Sequence, residues 1–258
     1  MPTPQLHPHK TTDRGYEPTY EFPGDRINDQ HVRASELVAD VAGWLRPEDA
    51  LKLYELAYFA HGPIVEIGSY RGKSTTILAM AARDAGHASP IVSIDVDPEA
   101  GPAVYAAARA RGVQDRLVLV RSSAHGFFAA NPSCSPALVF LDGDHTREGV
   151  TRDLGTLRAH VPNGGLILFH DFNDPGNPGN AAASIGVVEA VEDSWVPKDC
   201  AFGGVFGACG LYVRRHGGPS GPRPGVIDLV RYDSPRLVYR QRVRWPLGRV
   251  TRRLLSRR

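Results

Sequence analysis

The sequence predicts an α/β protein built on a doubly wound, mostly parallel sheet of seven strands. From residue 64 to residue 170, apolar β-branched runs alternate with segments of helical spacing, which is the pattern of repeated βαβ units. The runs at 137–141 and 166–169 are continuously apolar, as is typical of strands that helices cover on both faces. A chain of 258 residues, 42% of them hydrophobic and 22% charged, can form one such domain with extensions at its ends.

The boundaries of the elements follow from the apolar spacing and from the positions of Gly and Pro. We predict two helices within residues 34–60, separated by Pro47, which disfavours a helical conformation at the residue before it. Strands are predicted at 64–68, 91–95, 117–121, 137–142 and 165–170, and helices at 73–84, 98–111, 124–129 and 146–160. A turn-rich loop at 172–183 precedes a helix at 185–194 and strands at 201–206 and 210–214. The last two strands share a tight glycine turn, so they must pair antiparallel.

Three regions follow from these boundaries: a flexible segment at 1–33, a domain at 34–215 and an Arg-rich extension at 216–258. The extension carries eleven Arg against Asp228 and Asp233. We interpret it as a solvated terminal extension, and a role in binding nucleic acid, an anionic membrane surface or an acidic partner stays open. Since no nucleic-acid motif accompanies the arginines, no nucleic-acid partner is expected.

Composition also limits the cellular setting. No run approaches eighteen apolar residues, so we expect no membrane span, and the first thirty residues lack the apolar core of a secretory signal. Cys134, Cys200 and Cys209 form no C-x-x-C pair, and an odd, sparse count suits a reducing compartment. We therefore expect a cytoplasmic protein.

Residues 64–75, Ile-Val-Glu-Ile-Gly-Ser-Tyr-Arg-Gly-Lys-Ser-Thr, form the most informative stretch. A strand that breaks through a glycine turn into a helix places backbone N–H groups and a helix N-terminus against a nucleotide-like ligand. Only three residues separate Gly68 from Gly72, which excludes a phosphate-binding P-loop, and Tyr70 excludes the dinucleotide fingerprint G-x-G-x-x-G. What remains is the pattern Glu-x-Gly-x-x-x-Gly.

The ends of the next two strands carry polar side chains. Ligands of doubly wound sheets bind beyond the carboxyl ends of the strands. Asp95 ends the second strand, where a carboxylate suits the two hydroxyls of a ribose. Ser122 and Ser123 follow the third strand, where hydroxyls can contact the edge of an adenine.

The fourth and fifth strands end in Asp-Gly-Asp-His (142–145) and His-Asp (170–171). Asp142 and Asp171 are oxygen ligands of the kind that Mg²⁺ accepts, although both can instead cap helices or orient loops. His145, with an ordinary pKa of ~6.5, is suited to act as a general base near neutral pH. For His170, three roles stay open: a third metal ligand, a group behind the ligands, or a buried structural histidine.

Five motifs in this order, spanning roughly residues 60–214, resemble class I S-adenosylmethionine-dependent methyltransferases. The segments are 66–72, 138–145 with 148–154, 162–165, 169–171 and 186–191. The resemblance is to the branch related to Mg²⁺-dependent enzymes that methylate sugar and natural-product hydroxyls, and it implies their Rossmann-like fold.

The resemblance implies roles for individual residues. Glu66, Gly68 and Gly72 match the motif that holds the methionine part of the cofactor, with Ser69 and Ser74 beside it, and Asp95 matches the ribose-binding acid. Ser122 and Ser123 stand at the adenine edge, where relatives more often have Gly-Asp. Asp142 and Asp171 match metal-ligand positions, His170 stands where relatives often have an acidic ligand, and His145 stands where catechol-type enzymes place a lysine base.

The expected function is therefore metal-assisted transfer of a methyl group from S-adenosylmethionine to a hydroxyl of a sugar or glycosylated natural product. The acceptor would be a small molecule or an oligosaccharide, and a homo-oligomer is compatible with the sequence. A catechol-like or polyketide hydroxyl is the alternative acceptor. Two other classes remain, an NAD-dependent nucleotide-sugar oxidoreductase and a non-catalytic adaptor that binds polyanions. Trp44, Tyr54 and Tyr58 can stack on a sugar face, but their helical spacing favours the core.

Overall fold

A seven-stranded sheet organises residues 38–174 and 185–220, the parts of the chain that the computed structural model describes. The strands are β1 (Ile64–Ile67), β2 (Ile91–Asp95), β3 (Leu117–Arg121), β4 (Leu138–Leu141), β5 (Leu166–Phe169), β6 (Cys200–Phe206) and β7 (Cys209–Arg214). The helices are α1 (Pro47–Phe59), α2 (Lys73–Asp84), α3 (Ala100–Ala110), α4 (Ala124–Ala130), α5 (Arg147–Leu157), α6 (Val187–Glu192) and α7 (Val196–Asp199). A 3₁₀ turn, Gln114–Arg116, precedes β3.

The strand order is β3-β2-β1-β4-β5-β7-β6, with β1 to β5 parallel and β7 antiparallel to both of its neighbours. The predicted doubly wound, mostly parallel sheet is thus confirmed. The order reverses direction between β1 and β4, where Ile67 lies opposite Ile94 on one side and Leu141 on the other. Such a switch point opens a crevice beyond the carboxyl ends of the strands, which is where ligands of these folds bind.

Each face of the sheet has its own hydrophobic core. Ile64 packs with residues of α1, α2 and α3, whereas Val65 packs with residues of α4, α5 and α6. All four residues of β1 and of β4 are buried, which explains why the central strands are continuously apolar except for Glu66. The functional edge of the sheet therefore rests on a scaffold that is packed from both sides.

Most predicted elements lie within two residues of their observed bounds, but the helix predicted before Pro47 is wrong where it can be assessed. Residues 39–46 form turns and extended backbone, with Gly43 at φ +146° and Arg46 extended before the proline. Residues 34–37 of that helix, the flexible segment 1–33, most of the 172–183 loop and the extension beyond 220 lie outside the described residues. The short helix α7 was not predicted.

Asp49 joins the first turn of α1 to the hairpin of β6 and β7. Its Oδ1 accepts the N–H of Ala208 at 2.6 Å, and its Oδ2 accepts the N–H of Arg46 at 2.8 Å. Gly207, in the hairpin turn, has φ +59°, and a Cβ there would lie 2.2 Å from Asp49 Oδ1. The hairpin turn therefore packs directly against this carboxylate, with no room for a side chain at Gly207. No helix in the two described ranges is long and apolar enough to cross a bilayer.

Candidate active site

A cavity of about 930 Å³ opens beyond the carboxyl ends of β1, β2, β3, β4 and β5. Its volume suits a ligand of cofactor size. Its wall is strongly acidic, because it carries seven aspartates against Lys73 and Arg152: Asp95, Asp97, Asp142, Asp144, Asp153, Asp171 and Asp174. Of the cofactor residues expected from the sequence, Gly68, Ser69, Ser74, Asp95, Ser122 and Ser123 line this cavity.

The glycine turn after β1 admits no larger residue at either glycine. Gly68 has φ +89°, and a Cβ there would lie 2.1 Å from the carbonyl oxygen of Asp142. Gly72 has φ +88°, and a Cβ there would lie 2.8 Å from Val104 Cα in α3. The two glycines therefore let the turn approach the end of β4 on one side and α3 on the other.

Asp95 fastens the glycine turn to the end of β2. Its Oδ2 accepts the N–H of Ser69 at 2.8 Å, the N–H of Tyr70 at 3.0 Å and the hydroxyl of Ser69 at 3.1 Å. Its Oδ1 accepts the N–H of Asp97 at 2.9 Å. Four donors fill the usual capacity of a carboxylate. A ribose bound by Asp95 must therefore share or replace some of these donors.

Glu66 lies beneath the glycine turn and not on the cavity wall. The residue is fully buried, and its carboxyl accepts the hydroxyls of Thr75 at 2.5 Å and Ser93 at 2.6 Å. Burial raises the pKa of Glu66 to about 7, although these hydroxyls and that of Ser74 act in the opposite direction. Glu66 therefore links β1 to β2 through Ser93 and to α2 through Thr75, and any influence on the cofactor passes through these elements.

The predicted Ser122 and Ser123 line the cavity, and so does Asp153, which the sequence had not singled out. Ser123 begins α4 and accepts the N–H of Gly126, while the hydroxyl of Ser122 lies on the same side of that helix start. Asp153, on α5, is buried at the cavity wall, and burial raises its pKa to about 6. Asp153 lies at helical spacing with Val150, Leu154 and Leu157, so the apolar pattern of α5 was the signal that could have identified it as buried.

Four side chains from the ends of β4 and β5 converge on the cavity wall. His170 Nδ1 lies 2.9 Å from Asp142 Oδ1 and 3.2 Å from Asp171 Oδ1. His145 Nδ1 lies 3.0 Å from Asp171 Oδ2. The convergence follows from the sheet, because the N–H of Asp142 continues the ladder onto Ile67 and that of His170 continues it onto Leu141.

The charges of this cluster are strongly coupled. Burial would lower the pKa of His170, but Asp142, Asp171 and Asp49 together raise it to about 12. Burial would raise the pKa of Asp171, yet its close contacts with His145 and His170 hold that pKa far below its ordinary value. The hydrogen bond to Asp171 is the main reason that the pKa of His145 is raised.

The donor set of Asp142, His170 and Asp171 fits a divalent cation. Neighbouring ligands of an octahedral ion with bonds of 2.0–2.1 Å lie about 3 Å apart, close to the spacings of His170 Nδ1 from the two carboxylates. His170 is 6% exposed, and neither ring nitrogen makes a well-directed hydrogen bond with any described residue despite these short contacts. A buried imidazole nitrogen without a directed partner is suited to a metal, which on binding would displace the proton that the surrounding carboxylates favour on the ion-free ring. Imidazole is a better ligand for transition ions than for Mg²⁺.

A second group of donors, Asp49, His170 and Cys209, lies in the interior and suits a cation less well. Both oxygens of Asp49 accept backbone N–H groups, so its charge is already engaged. Burial raises the pKa of the Cys209 thiol well above its ordinary value, which keeps the sulfur protonated and a poor ligand.

The rim of the cavity carries three exposed large apolar side chains: Trp44, Tyr70 and Val96. Trp44 is 81% exposed and stacks on Tyr70 with ring centroids 5.4 Å apart. The expectation of a core position is therefore wrong for Trp44 but confirmed for Tyr54, which is fully buried, while Tyr58 is partly buried and stacks on Tyr54. Lys73 Nζ donates to the carbonyl of Gly43 at 3.2 Å and so holds the backbone beside Trp44.

Comparison with known proteins gives this arrangement a context. Residues 65–172 match a family model described as a methyltransferase domain. The SAH-bound Podospora anserina methyltransferase PaMTH1 is 20% identical, with 74% of this chain and 89% of that chain covered and a TM-score of 0.53. An O-methyltransferase from Bacillus cereus in complex with SAH is 14% identical, with 73% and 93% covered and a TM-score of 0.53. The TDP-rhamnose 3'-O-methyltransferase CalS11, of calicheamicin biosynthesis, is 17% identical, with 75% and 96% covered and a TM-score of 0.50.

These likenesses agree with the strand order, the glycine turn after β1 and the cavity at the switch point. The matched region begins in β1 and ends just after Asp171, so it includes the glycine turn and both histidines of the cluster. By the family model residues 65–172 are a methyltransferase domain, and the fold around them is that of the two SAH-bound methyltransferases.

Proposed function

We propose that the protein transfers a methyl group from S-adenosylmethionine to a hydroxyl oxygen, with a divalent cation at Asp142, His170 and Asp171. The observation that carries this proposal is the set of metal-type donors beside His145 on the wall of the cofactor cavity. O-methylation follows because a hydroxyl must lose a proton as it is methylated, and this cluster offers a base and a cation for that purpose.

His145 takes the proton. Its Nδ1 faces Asp171, which favours the tautomer with hydrogen on Nδ1 and leaves Nε2 to accept the proton of the acceptor hydroxyl. The side chain is 42% exposed, so an acceptor can reach it from the cavity. The methyl group moves from the sulfonium to the oxygen, the proton moves to His145, and S-adenosylhomocysteine leaves as a neutral thioether.

Asp142, His170 and Asp171 would hold the cation. The sequence resemblance favours Mg²⁺ as that ion, whereas the imidazole among the ligands favours Mn²⁺. When bound, the cation supplies Lewis acidity that stabilises negative charge developing on the acceptor. The glycine turn and Asp95 fix the cofactor side of the cavity, so both reactants are held before the transfer.

A carbohydrate is the proposed acceptor. The exposed Trp44–Tyr70 stack offers an apolar face at the rim, which suits the face of a sugar ring, and CalS11 acts on TDP-rhamnose. The acidic wall disfavours anionic groups, which favours a neutral glycoside over a nucleotide sugar. A catechol-like or polyketide hydroxyl remains the alternative, since either can present two adjacent oxygens to a cation.

The test has two parts. Calorimetric titration with S-adenosylhomocysteine should give micromolar binding, and its absence would overturn the proposal at the cofactor. Methyl transfer to methyl α-L-rhamnopyranoside, TDP-rhamnose and catechol is then measured with Mg²⁺, Mn²⁺ or EDTA. Transfer to a sugar that is abolished by EDTA supports the proposal. Transfer only to catechol supports the alternative acceptor. Transfer that EDTA does not affect overturns the proposed role of the cation.

A further inference from the structure

Asp49 lies on the side of His170 that faces away from the other carboxylates. It comes from the first turn of α1, more than 120 residues before His170 in the chain, and it is fully buried. Its Oδ2 lies 3.8 Å from His170 Nε2, while His170 Nδ1 faces Asp142 and Asp171. The imidazole is therefore placed between a carboxylate behind it and the carboxylate pair at the cavity.

The position of Asp49 is fixed by contacts that do not involve His170. Ala208 and Arg46 donate backbone N–H groups to its two oxygens, and the turn at Gly207 closes against Oδ1. The Cys209 thiol also hydrogen-bonds this carboxylate, and three accepted hydrogen bonds still leave one of its roughly four acceptor sites for a further donor. A movement of the imidazole by about 1 Å would bring Nε2 to the usual hydrogen-bond distance of about 2.9 Å.

We propose that Asp49 is a positioning residue that sets the tautomer and orientation of His170 for cation binding. With hydrogen on Nε2 directed at Asp49, the lone pair of Nδ1 points toward the Asp142–Asp171 side. A histidine that binds a metal almost always donates its other ring N–H to such a partner, and loss of the partner typically weakens metal binding by about 10–100-fold. The inference rests on the proposed cation site, and it adds a residue that no sequence motif indicated.

A purely structural role for Asp49, as the anchor between α1 and the β6–β7 turn, predicts a different pattern. In that case the substitution D49N would lower the stability of the fold and weaken the binding of the cation and of S-adenosylhomocysteine together. In the positioning role, D49N weakens the binding of the cation selectively. The new side-chain amide has a single acceptor oxygen, which the N–H of Ala208 occupies at 2.6 Å, and the amide nitrogen cannot accept a hydrogen bond from His170 Nε2.

E55Q is the matched control. Glu55 is also a fully buried carboxylate of α1, and it pairs with Lys52 at 2.7 Å rather than with any residue of the site. Its loss disturbs the interior of the same helix, and so reports what general damage to α1 does to the cation site.

The experiment titrates Mn²⁺ into the full-length wild type, D49N and E55Q, with free Mn²⁺ followed by electron paramagnetic resonance. S-adenosylhomocysteine affinity and thermal unfolding are measured on the same samples. We expect D49N to bind Mn²⁺ about 10–100-fold more weakly than wild type, with S-adenosylhomocysteine affinity unchanged, and E55Q to match wild type in both. Mn²⁺ affinity of D49N within twofold of wild type overturns the role of Asp49 and leaves the proposed function intact.

A measurement on the wild type keeps the inference testable if D49N does not fold. Long-range ¹H–¹⁵N spectra of the Mg²⁺-loaded protein, with His170 assigned by its absence in H170Q, should show hydrogen on Nε2 and none on Nδ1. Hydrogen on Nδ1 in the Mg²⁺-loaded protein overturns the inference. A wild type that binds S-adenosylhomocysteine but no cation overturns both the positioning role and the metal assistance, while the methyltransferase assignment stands.

Discussion

At the scale of single residues, His145 combines accessibility with a carboxylate that orients its ring. Asp171 Oδ2 lies 3.0 Å from Nδ1, which leaves Nε2 for the acceptor. We expect H145A to lower kcat by about 10²–10⁴-fold with S-adenosylhomocysteine affinity unchanged, because general base catalysis typically contributes that much. Steady-state methyl transfer and calorimetry measure the two quantities. H61A, which removes an exposed histidine outside the cavity lining, should match wild type, and an H145A enzyme with wild-type kcat would contradict the base assignment.

Glu66 should make stability depend on pH. Burial raises its pKa from the ordinary 4.5 to about 7, so between these values the folded state holds a proton that the unfolded state releases. The stabilisation is therefore complete below about pH 4.5 and is lost as the pH rises through 7, by up to roughly 3 kcal/mol. Urea unfolding at pH 5.5 and pH 8 should show wild type losing more stability than E66Q. An equal loss in both proteins would show that Glu66 titrates normally.

At the scale of elements, the glycine turn connects the proposed cofactor side of the cavity to the proposed cation side. A Cβ on Gly68 would lie 2.1 Å from the carbonyl oxygen of Asp142, the residue that ends β4. We expect G68A to abolish S-adenosylhomocysteine binding, because backbone cannot yield as a flexible side chain does. Calorimetry and thermal unfolding measure the effect.

Gly86 provides the control for G68A. Its φ is also positive, at +69°, but a Cβ there would meet nothing within 4 Å. G86A should therefore lose only the ~1 kcal/mol of a left-handed alanine and retain full cofactor affinity. Equal effects of the two substitutions would mean that backbone strain, and not the approach to Asp142, makes Gly68 necessary.

The elements that sequence predicted well are those whose signals are local. The bounds of β2 and β3 and of α2 follow from apolar spacing between glycine turns, and the strand-end carboxylates follow from a rule about parallel sheets. Asp49 was missed because its partner Ala208 is 159 residues away, and nothing in a capping aspartate predicts such a partner. Trp44 was misread because it fits a helical pattern, whereas Gly43 and Pro47 interrupt that helix.

At the scale of the whole molecule, the packed domain extends a few residues past the boundary that we predicted at 215. The N–H of Gly218 donates to Asn163 Oδ1, and the N–H of Asn163 donates to the carbonyl of Pro219. The buried guanidinium of Arg214 donates to the carbonyls of His216 and Gly217. Residues 216–219 therefore close the edge of the sheet opposite the cavity, against the turn before β5.

Two truncations separate this short closing segment from the arginine-rich remainder. A chain ending at residue 215 loses five hydrogen bonds, two of them donated by a buried guanidinium that is then left without those acceptors. We expect that chain to lose about 3 kcal/mol, a fall in Tm of roughly 6–12 °C. A chain ending at residue 220 keeps all five bonds, so it should retain the Tm and the S-adenosylhomocysteine affinity of the full chain. Equal Tm values for the two truncations would place the boundary at 215 after all, whereas a loss of cofactor binding in the longer one would assign the arginine-rich extension a part in the cofactor site.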